Sequence, residues 1–253
     1  MEVIFLGTGS AMATPQRMQA GYLVKSDTDA LLVDCGSGVL HRLAGTDTGY
    51  QGVNKVILTH HHSDHVSDLV PLIKARWLAG ETTLSIIGPK GTKALVNSLF
   101  DVYAYLEERV TLRIREVGPH QFSAGKFDIA AHRTQHSMDC LAYRVASTES
   151  PNGPEVVFSG DTEASDSLTQ FADDATVLVH DCSFPDSVDV SGHPTPTTLG
   201  KALQGISVGL VYLTHLYPHT EENHQQMREQ ITTHYMGTVK FARDGLHLSL
   251  SDT

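Results

Sequence analysis

Cysteine, basic residues and long apolar runs are all scarce in this sequence, and each scarcity removes a class of protein. Cys35, Cys140 and Cys182 are odd in number and widely spaced, with no CxxC pair, so neither a disulfide framework nor a zinc ribbon fits. Buried reduced thiols are expected instead. The longest apolar run near the start, Val3 to Leu6, falls short of the roughly 7 to 15 residues of a signal-peptide core, and no segment approaches a membrane span. The expectation is a cytoplasmic protein without membrane contact. Only 18 Lys and Arg stand against 29 Asp and Glu, a formal charge of -11, which repels polyanions and disfavours a general nucleic-acid binder. Low-complexity tracts, Pro/Ser linkers and internal repeats are missing as well, so residues 1–253 read as one domain.

Histidine is abundant by contrast, at 15 residues, several of them in a tight group. Around them, short runs rich in Val, Ile and Leu predict strands at Glu2–Leu6, Leu31–Val33, Val53–Leu58, Thr83–Ile87 and Leu112–Val117. The second half predicts more at Phe127–Ala131, Leu141–Val145, Val156–Phe158, Thr176–Val179, Val208–Leu213 and Leu246–Leu250. Helical spacing marks Leu69–Ala79, Lys93–Leu106, Thr197–Gln204 and Glu221–His234, with Thr92 and Thr195 as caps. The stretch Thr148–Glu155, around Pro151-Asn152-Gly153-Pro154, reads as a hairpin loop. Strands interleaved with helices in both halves give an α/β fold, most simply two sheets face to face with helices outside.

The heptapeptide Thr59-His60-His61-His62-Ser63-Asp64-His65 directly follows the apolar run Val53–Leu58, where a buried strand ends. His60 and His62 can point the same way, while Asp64 and His65 face a neighbouring point, so one loop could hold two cations. His136, Asp161 and His215 each follow a further apolar stretch. A lone histidine at a strand end is usually a hydrogen-bonded surface residue. Five histidines and two aspartates at strand ends, four of them within six residues, are hard to explain that way. Imidazole with carboxylate and no thiolate suits Zn(II), and Mn(II) or Fe(II) with less discrimination. Two divalent ions would acidify a shared water, brace the oxygens of an ester and reverse the negative field locally, admitting an anionic substrate. Asp64, beside that water, could accept its proton.

The pattern resembles the metallo-β-lactamase superfamily, whose HxHxDH signature is filled by His60, His62, Asp64 and His65, followed in the family's order by His136, Asp161 and His215. The resemblance runs from Gly7-Thr8-Gly9 and Leu32-Val33-Asp34-Cys35-Gly36 to His215, and implies an αββα sandwich of two mixed sheets with a dinuclear site. It assigns His60, His62 and His136 to one metal, Asp64, His65 and His215 to the other, and Asp161 to a bridge. Asp161 sits where true β-lactamases often use Cys, and His62 where the diiron flavoproteins carry Glu, so both activities are disfavoured.

Within the superfamily, Val179-His180-Asp181-Cys182-Ser183-Phe184 followed by Gly192-His193-Pro194-Thr195 resembles ribonuclease Z, a group of tRNA 3′-end processing phosphodiesterases. Those enzymes carry a His-Glu-Ala-Thr-like motif and then a His-Ser-Thr-like motif, in which the acidic residue orients a His that assists the leaving oxygen. Asp181 and His193 occupy those places here. The chain departs from the group in having Asp181 for Glu, Pro194 for Ser and Asp68 for Gly. The interval Ser137–Gly160, 24 residues, holds two strands and a turn where ribonuclease Z inserts a long tRNA-gripping arm. The expectation is a dinuclear phosphodiesterase that uses metal-bound hydroxide on an anionic ester, either RNA or a small phosphodiester. The resemblance adds a homodimer. A lactonase or thioester hydrolase of the same fold is the alternative enzyme, and a non-catalytic metal-binding module the alternative of another class. The lactonase usually places Tyr where this chain has Ala164, although Tyr217 lies near His215 in sequence. Gly7-Thr8-Gly9-Ser10 reads as a tight turn, the Trp77 region as core, and His61 as pointing away from its neighbours.

Overall fold

The computed structural model describes residues 1–188 and 190–251. The expected span 1–253 therefore includes three positions outside the described residues. Strands β1 (Glu2–Gly7), β2 (Gly21–Lys25), β3 (Ala30–Val33), β4 (Lys55–Ile57), β5 (Thr83–Gly88) and β6 (Thr111–Glu116) form one sheet. The other contains β7 (Gln121–Ala124), β8 (Phe127–Arg133), β9 (Leu141–Ser147), β10 (Glu155–Phe158), β11 (Val177–Asp181), β12 (Leu210–Thr214) and β13 (Val239–Phe241). The last strand, β14 (Leu246–Ser249), returns to the first sheet beside β1. Both sheets are thus mixed and seven-stranded. From β3 to β6 and from β10 to β13 the neighbours are parallel, and the remaining pairs are antiparallel.

Helices cover the outer faces: α1 (Val39–Ala44), α2 (Gly49–Gly52), α3 (Ser63–Val66), α4 (Leu69–Leu78) and α5 (Thr92–Val102) belong to the first half. The second half has α6 (Asp166–Phe171), α7 (Pro196–Ala202) and α8 (His224–Thr232). The chemistry of the strands explains the layering. Parallel strands buried on both faces read as continuous apolar runs, as in β3, β4 and β11. One face of the sheets meets between them, through Phe5, Tyr22, Val33 and Ile57 against Phe127, Tyr143, Phe158 and Val179. The opposite face of the first sheet packs Leu32, Val56 and Ile86 on Leu43, Leu72 and Val96, and that of the second packs Leu178 and Val211 on Leu199, Met227 and Ile231. The result is the αββα sandwich expected from sequence.

Several local expectations need correction. Thr92 does not cap α5: Gly91, at φ 100°, holds the cap position, and α5 ends at Val102, leaving Ala104–Leu106 as a separate 3-10 turn. Thr195 does cap α7, exchanging hydrogen bonds with Thr198 in a capping box with Pro196 in the first turn. The last predicted helix begins only at His224, after the 3-10 turn Pro218–Thr220. The Trp77 region is core only in part, because Leu78 is 68% exposed while Arg76 is buried with its guanidinium on the carbonyls of Tyr50, Gln51 and Thr83. The Gly7-Thr8-Gly9 turn is a tight one. A Cβ on Gly7 would lie 1.7 Å from the Gln19 carbonyl oxygen, and the Thr8 amide is bound to Asp244. All three cysteines are free and buried, as expected. Among the described residues no helix is long and apolar enough to cross a membrane.

Candidate metal centre

Parallel pairing brings the carboxyl ends of strands to one edge of the sandwich, which is where open α/β sheets collect their ligands. Asp34 follows β3, Thr59 and His60 follow β4, Asp161 follows β10, Asp181 closes β11 and His215 follows β12. His136 follows β8, which runs the same way as β10 because both are antiparallel to β9. Asp34 and His215 both sit in the left-handed region at φ 58°, a conformation that costs energy in a side-chain-bearing residue and clusters at functional sites. Gly160, at φ 60°, lets the chain approach the site, since a Cβ there would stand 2.9 Å from Cys140 Sγ and 3.0 Å from Thr59 Cβ. From the extended His62 the chain enters the one-turn α3, which buries both Asp64 and His65.

The side chains converge in two groups. In the first, His62 Nδ1 lies 3.0 Å from His60 Nε2 and 3.1 Å from His136 Nε2, and Asp161 Oδ2 lies 3.6 Å and 3.9 Å from the same two nitrogens. In the second, His215 Nε2 is 3.1 Å from Asp64 Oδ2, and His65 Nε2 is 3.8 Å from that oxygen. Asp161 reaches this group too, with Oδ1 3.4 Å from His65 Nε2 and Oδ2 3.4 Å from His215 Nε2. Four ligands at 2.0 to 2.1 Å around a tetrahedral ion would stand about 3.3 Å from one another, so these separations suit divalent metal binding. Among the described residues His65 Nε2 is buried without a hydrogen-bond partner, an arrangement that a metal ion at this nitrogen would relieve.

Outer partners fix the rings. Asp34 accepts from the Thr59 amide and hydroxyl, each at 2.8 Å, and its Oδ2 lies 2.8 Å from His65 Nδ1. The Gly192 carbonyl accepts from His136 Nδ1 at 3.0 Å, and Ser183 Oγ stands 2.9 Å from His215 Nδ1. Each contact holds the ring nitrogen that faces away from the cluster, as second partners of metal-binding histidines do. Burial depresses the His60 pKa. For His65 burial acts in the same direction, but the Asp161 and Asp34 carboxylates outweigh it and raise the pKa well above the usual imidazole value. Burial alone would raise the Asp161 carboxyl, yet His215, His65 and His60 hold it well below the ordinary carboxylate range.

Asp181 and His193 lie at the rim of the same cluster, with Asp181 Oδ2 2.7 Å from His193 Nδ1. Burial works against a charged ring there, but Asp181 dominates and lifts the His193 pKa to about 9. His193 also groups with Asp161 and His215 within 4.8 Å. All nine residues singled out from the sequence, His60, His62, Asp64, His65, His136, Asp161, Asp181, His193 and His215, are thus brought to one place. His61 turns aside to Thr92, its Nε2 2.8 Å from the hydroxyl. Sequence reasoning gave no role to Asp34, Ser183 or Gly192. Asp34 was legible only as a carboxylate straight after an apolar strand, and the Gly192 carbonyl carries no sequence signal. Tyr217 stacks on Phe184 at 4.4 Å, its ring 5.7 Å from that of His215, and burial and then Asp64 push its phenol up to about 12.

The segment Ser137–Gly160 is filled by β9, β10 and their turn. A family model described as anti-Pycsar protein Apyc1 matches residues 1–238. Ribonuclease Z of Mycobacterium bovis is 30% identical over 96% of this chain and 96% of its own. The probable metallo-hydrolase YhfI of Bacillus subtilis is 30% identical over 97% of this chain and 98% of its own. The YhfI crystal structure superposes with a TM-score of 0.82 at 28% identity, covering 98% of both chains. Human tRNase Z, short form, shares the fold with a TM-score of 0.79 at 20% identity, over 99% of both chains. With this geometry and these matches, the chain belongs to the anti-Pycsar Apyc1 family, among the ribonuclease Z-like, metal-dependent hydrolases of the metallo-β-lactamase fold.

Proposed function

We propose that the protein is a dinuclear-metal phosphodiesterase acting on a small phosphodiester, with RNA as the larger alternative. The observation that carries the reading is the Asp181–His193 pair at 2.7 Å on the rim of the metal cluster. His60, His62 and His136 would hold one ion, Asp64, His65 and His215 the other, and Asp161 would join them. Zn(II) is the first choice for this donor set, with Mn(II) and Fe(II) next. Bound there, the ions supply an acidified water and a positive field for phosphoryl oxygens. Asp64 is placed to accept a proton from the attacking water. His193, kept protonated by Asp181, is placed to give a proton to the departing alkoxide. A turn where ribonuclease Z carries its arm, together with the -11 charge, favours a small substrate over tRNA. A cytoplasmic location fits the free buried thiols. Self-association fits the exposed Leu78, Val102, Tyr103 and Tyr105.

A lactonase is the second reading, because the neutral Tyr217 phenol beside His215 could polarise a lactone carbonyl. One screen separates the readings: a dinucleotide, bis(p-nitrophenyl) phosphate, an acyl-homoserine lactone and a thioester, with metal content measured on the same sample. Wild type should cleave both phosphodiesters. His193→Ala should keep its metals and lose about 10²- to 10⁴-fold on the dinucleotide, which leaves as an alkoxide, but little on the nitrophenyl ester, whose leaving anion is already stable. Full dinucleotide activity in His193→Ala removes the proton-donor role. Lactone opening without phosphodiester cleavage favours the lactonase, and a metal-loaded chain inert on all four favours a structural module.

A further inference from the structure

We propose that Ser183 is a positioning residue that joins the second metal group to the proton donor, an inference that rests on the phosphodiesterase reading. Its hydroxyl is fully buried and has three polar neighbours: Asp181 Oδ1 at 2.6 Å, His215 Nδ1 at 2.9 Å and His193 Nδ1 at 3.2 Å. A serine hydroxyl has one hydrogen and two lone pairs. The ionised Asp181 carboxylate can only accept, so the hydrogen goes to Asp181 Oδ1. Both lone pairs are then left for ring N–H groups. His215 therefore keeps a hydrogen on Nδ1, so that Nε2, which meets Asp64 and Asp161 at 3.1 Å and 3.4 Å, is the nitrogen that can exchange its proton for a metal ion. A hydrogen held on Nδ1 is what a metal ion at Nε2 needs.

On its other side, Ser183 helps to hold the imidazole of His193. The ring shares its Nδ1 hydrogen between Asp181 Oδ2 at 2.7 Å and Ser183 Oγ at 3.2 Å. Asp181 is itself held, at Oδ1 by Ser183 and at Oδ2 by the Thr162 amide, 3.3 Å away, immediately after Asp161. One hydroxyl thus orients a ring of the second metal group, the carboxylate of the proton-donor pair and the donor ring. With every hydrogen-bonding position of the hydroxyl occupied, turning it to suit one partner would leave another unpaired. Such buried networks hold firmly only when every member is satisfied.

The test compares Ser183→Ala with Ser183→Thr, which keeps a hydroxyl. Three quantities are read: second-metal affinity by titration in metal buffers, kcat and KM on a dinucleotide at saturating metal, and the His215 tautomer by long-range ¹H–¹⁵N correlation in the Zn(II)-loaded protein. Ser183→Ala should weaken the second metal and lower kcat by about 10- to 100-fold each, with KM unchanged within about threefold. Ser183→Thr should recover both losses to within about threefold. The wild-type spectrum should place the His215 hydrogen on Nδ1. Wild-type metal affinity and kcat in Ser183→Ala, equal losses in both variants, or a hydrogen on His215 Nε2 would each overturn the role of Ser183. The tautomer is measured on the unsubstituted chain, so a variant that fails to fold does not spare the inference. Failure of wild type to bind two metals or to cleave phosphodiesters would overturn the functional reading along with it, whereas a competent wild type with an indifferent Ser183→Ala overturns this inference alone.

Discussion

Asp29 and Asp34 flank the same four-residue strand, β3, and sit at opposite ends of the sandwich, about 17 Å apart at strand rise. Asp29 bonds to the first residue of the neighbouring strand β4, which runs parallel to β3, and Asp34 to Thr59 just beyond its end. Asp29 takes the Lys55 ammonium at 2.6 Å, the Ala30 amide at 2.9 Å and, at 2.9 Å, the Lys126 amide in the β7–β8 turn, tying one sheet to the other. Asp34, wholly buried in a left-handed conformation, takes Thr59 and the ring of His65, whose other nitrogen faces the Asp161 and Asp64 carboxylates at 3.4 Å and 3.8 Å. The first aspartate closes a structure with groups that are already satisfied. The second aims the histidine beyond it at the candidate metal centre. Identical residue types at the two ends of one strand thus separate what holds the sheets together from what readies the metal centre, where Asp34 and His215 carry backbone strain.

The sharpest way to break this comparison is at the centre itself. Asp161 contacts both ligand groups, so Asp161→Ala should abolish binding of a metal pair and lower phosphodiester turnover by well over about 100-fold, more than an outer partner costs. Elemental analysis after dialysis and turnover on the same sample would check it. Two ions retained with full activity would remove the bridge.

Asp34→Asn is next in size. Asparagine tolerates the left-handed conformation and keeps the shape, so the substitution isolates the charge. His65 loses a carboxylate partner, and metal affinity and turnover should each fall by about 10- to 100-fold. Unchanged metal affinity in Asp34→Asn would show that the carboxylate is merely structural and would erase the contrast with Asp29.

Legibility in the sequence follows the same division. The metal cluster could be read because its residues stand just past short apolar stretches, such as Val56–Leu58 before His60 and Leu210–Leu213 before His215. The contacts that orient those residues could not. Thr59 and Asp34 are 25 residues apart, and Ser183 and His215 are 32 apart, so only the folded sheets bring them together. Strands β7 and β13 were not predicted because they are short edge strands with exposed alternate or central positions, and β2 because pairing with β1 and β3 defines it more than its three apolar residues do. The buried Arg76 was hidden for the same reason. Its carbonyl partners Tyr50 and Gln51 lie more than 20 residues upstream, where no local pattern reveals them.

The smallest effect, and the one that tests the other half of the comparison, belongs to Asp29. Partial burial pushes its carboxyl up, but the Lys55 ammonium and the amides of Lys126 and Ala30 outweigh that and hold its pKa below the ordinary value. A carboxylate whose pKa is lower in the folded chain binds its proton less readily there than in the unfolded chain. Its stabilisation is therefore complete above the unfolded pKa, roughly 4, and fades as pH falls through the lowered folded value. Asp29→Asn should cost about 1 kcal/mol at neutral pH, a Tm decrease of about 2 to 4 °C for a chain of this size, with turnover unchanged within about twofold. In acid the wild-type advantage should shrink toward zero, because the protonated carboxyl has become as neutral as the amide. Thermal unfolding of both metal-free chains from neutral pH down to about pH 3 reads this difference with metal release taken out. An advantage that persists undiminished at the acid end would mean that shape rather than charge closes that end of the sandwich. A loss of turnover in Asp29→Asn comparable to that in Asp34→Asn would mean that the two ends are coupled through β3.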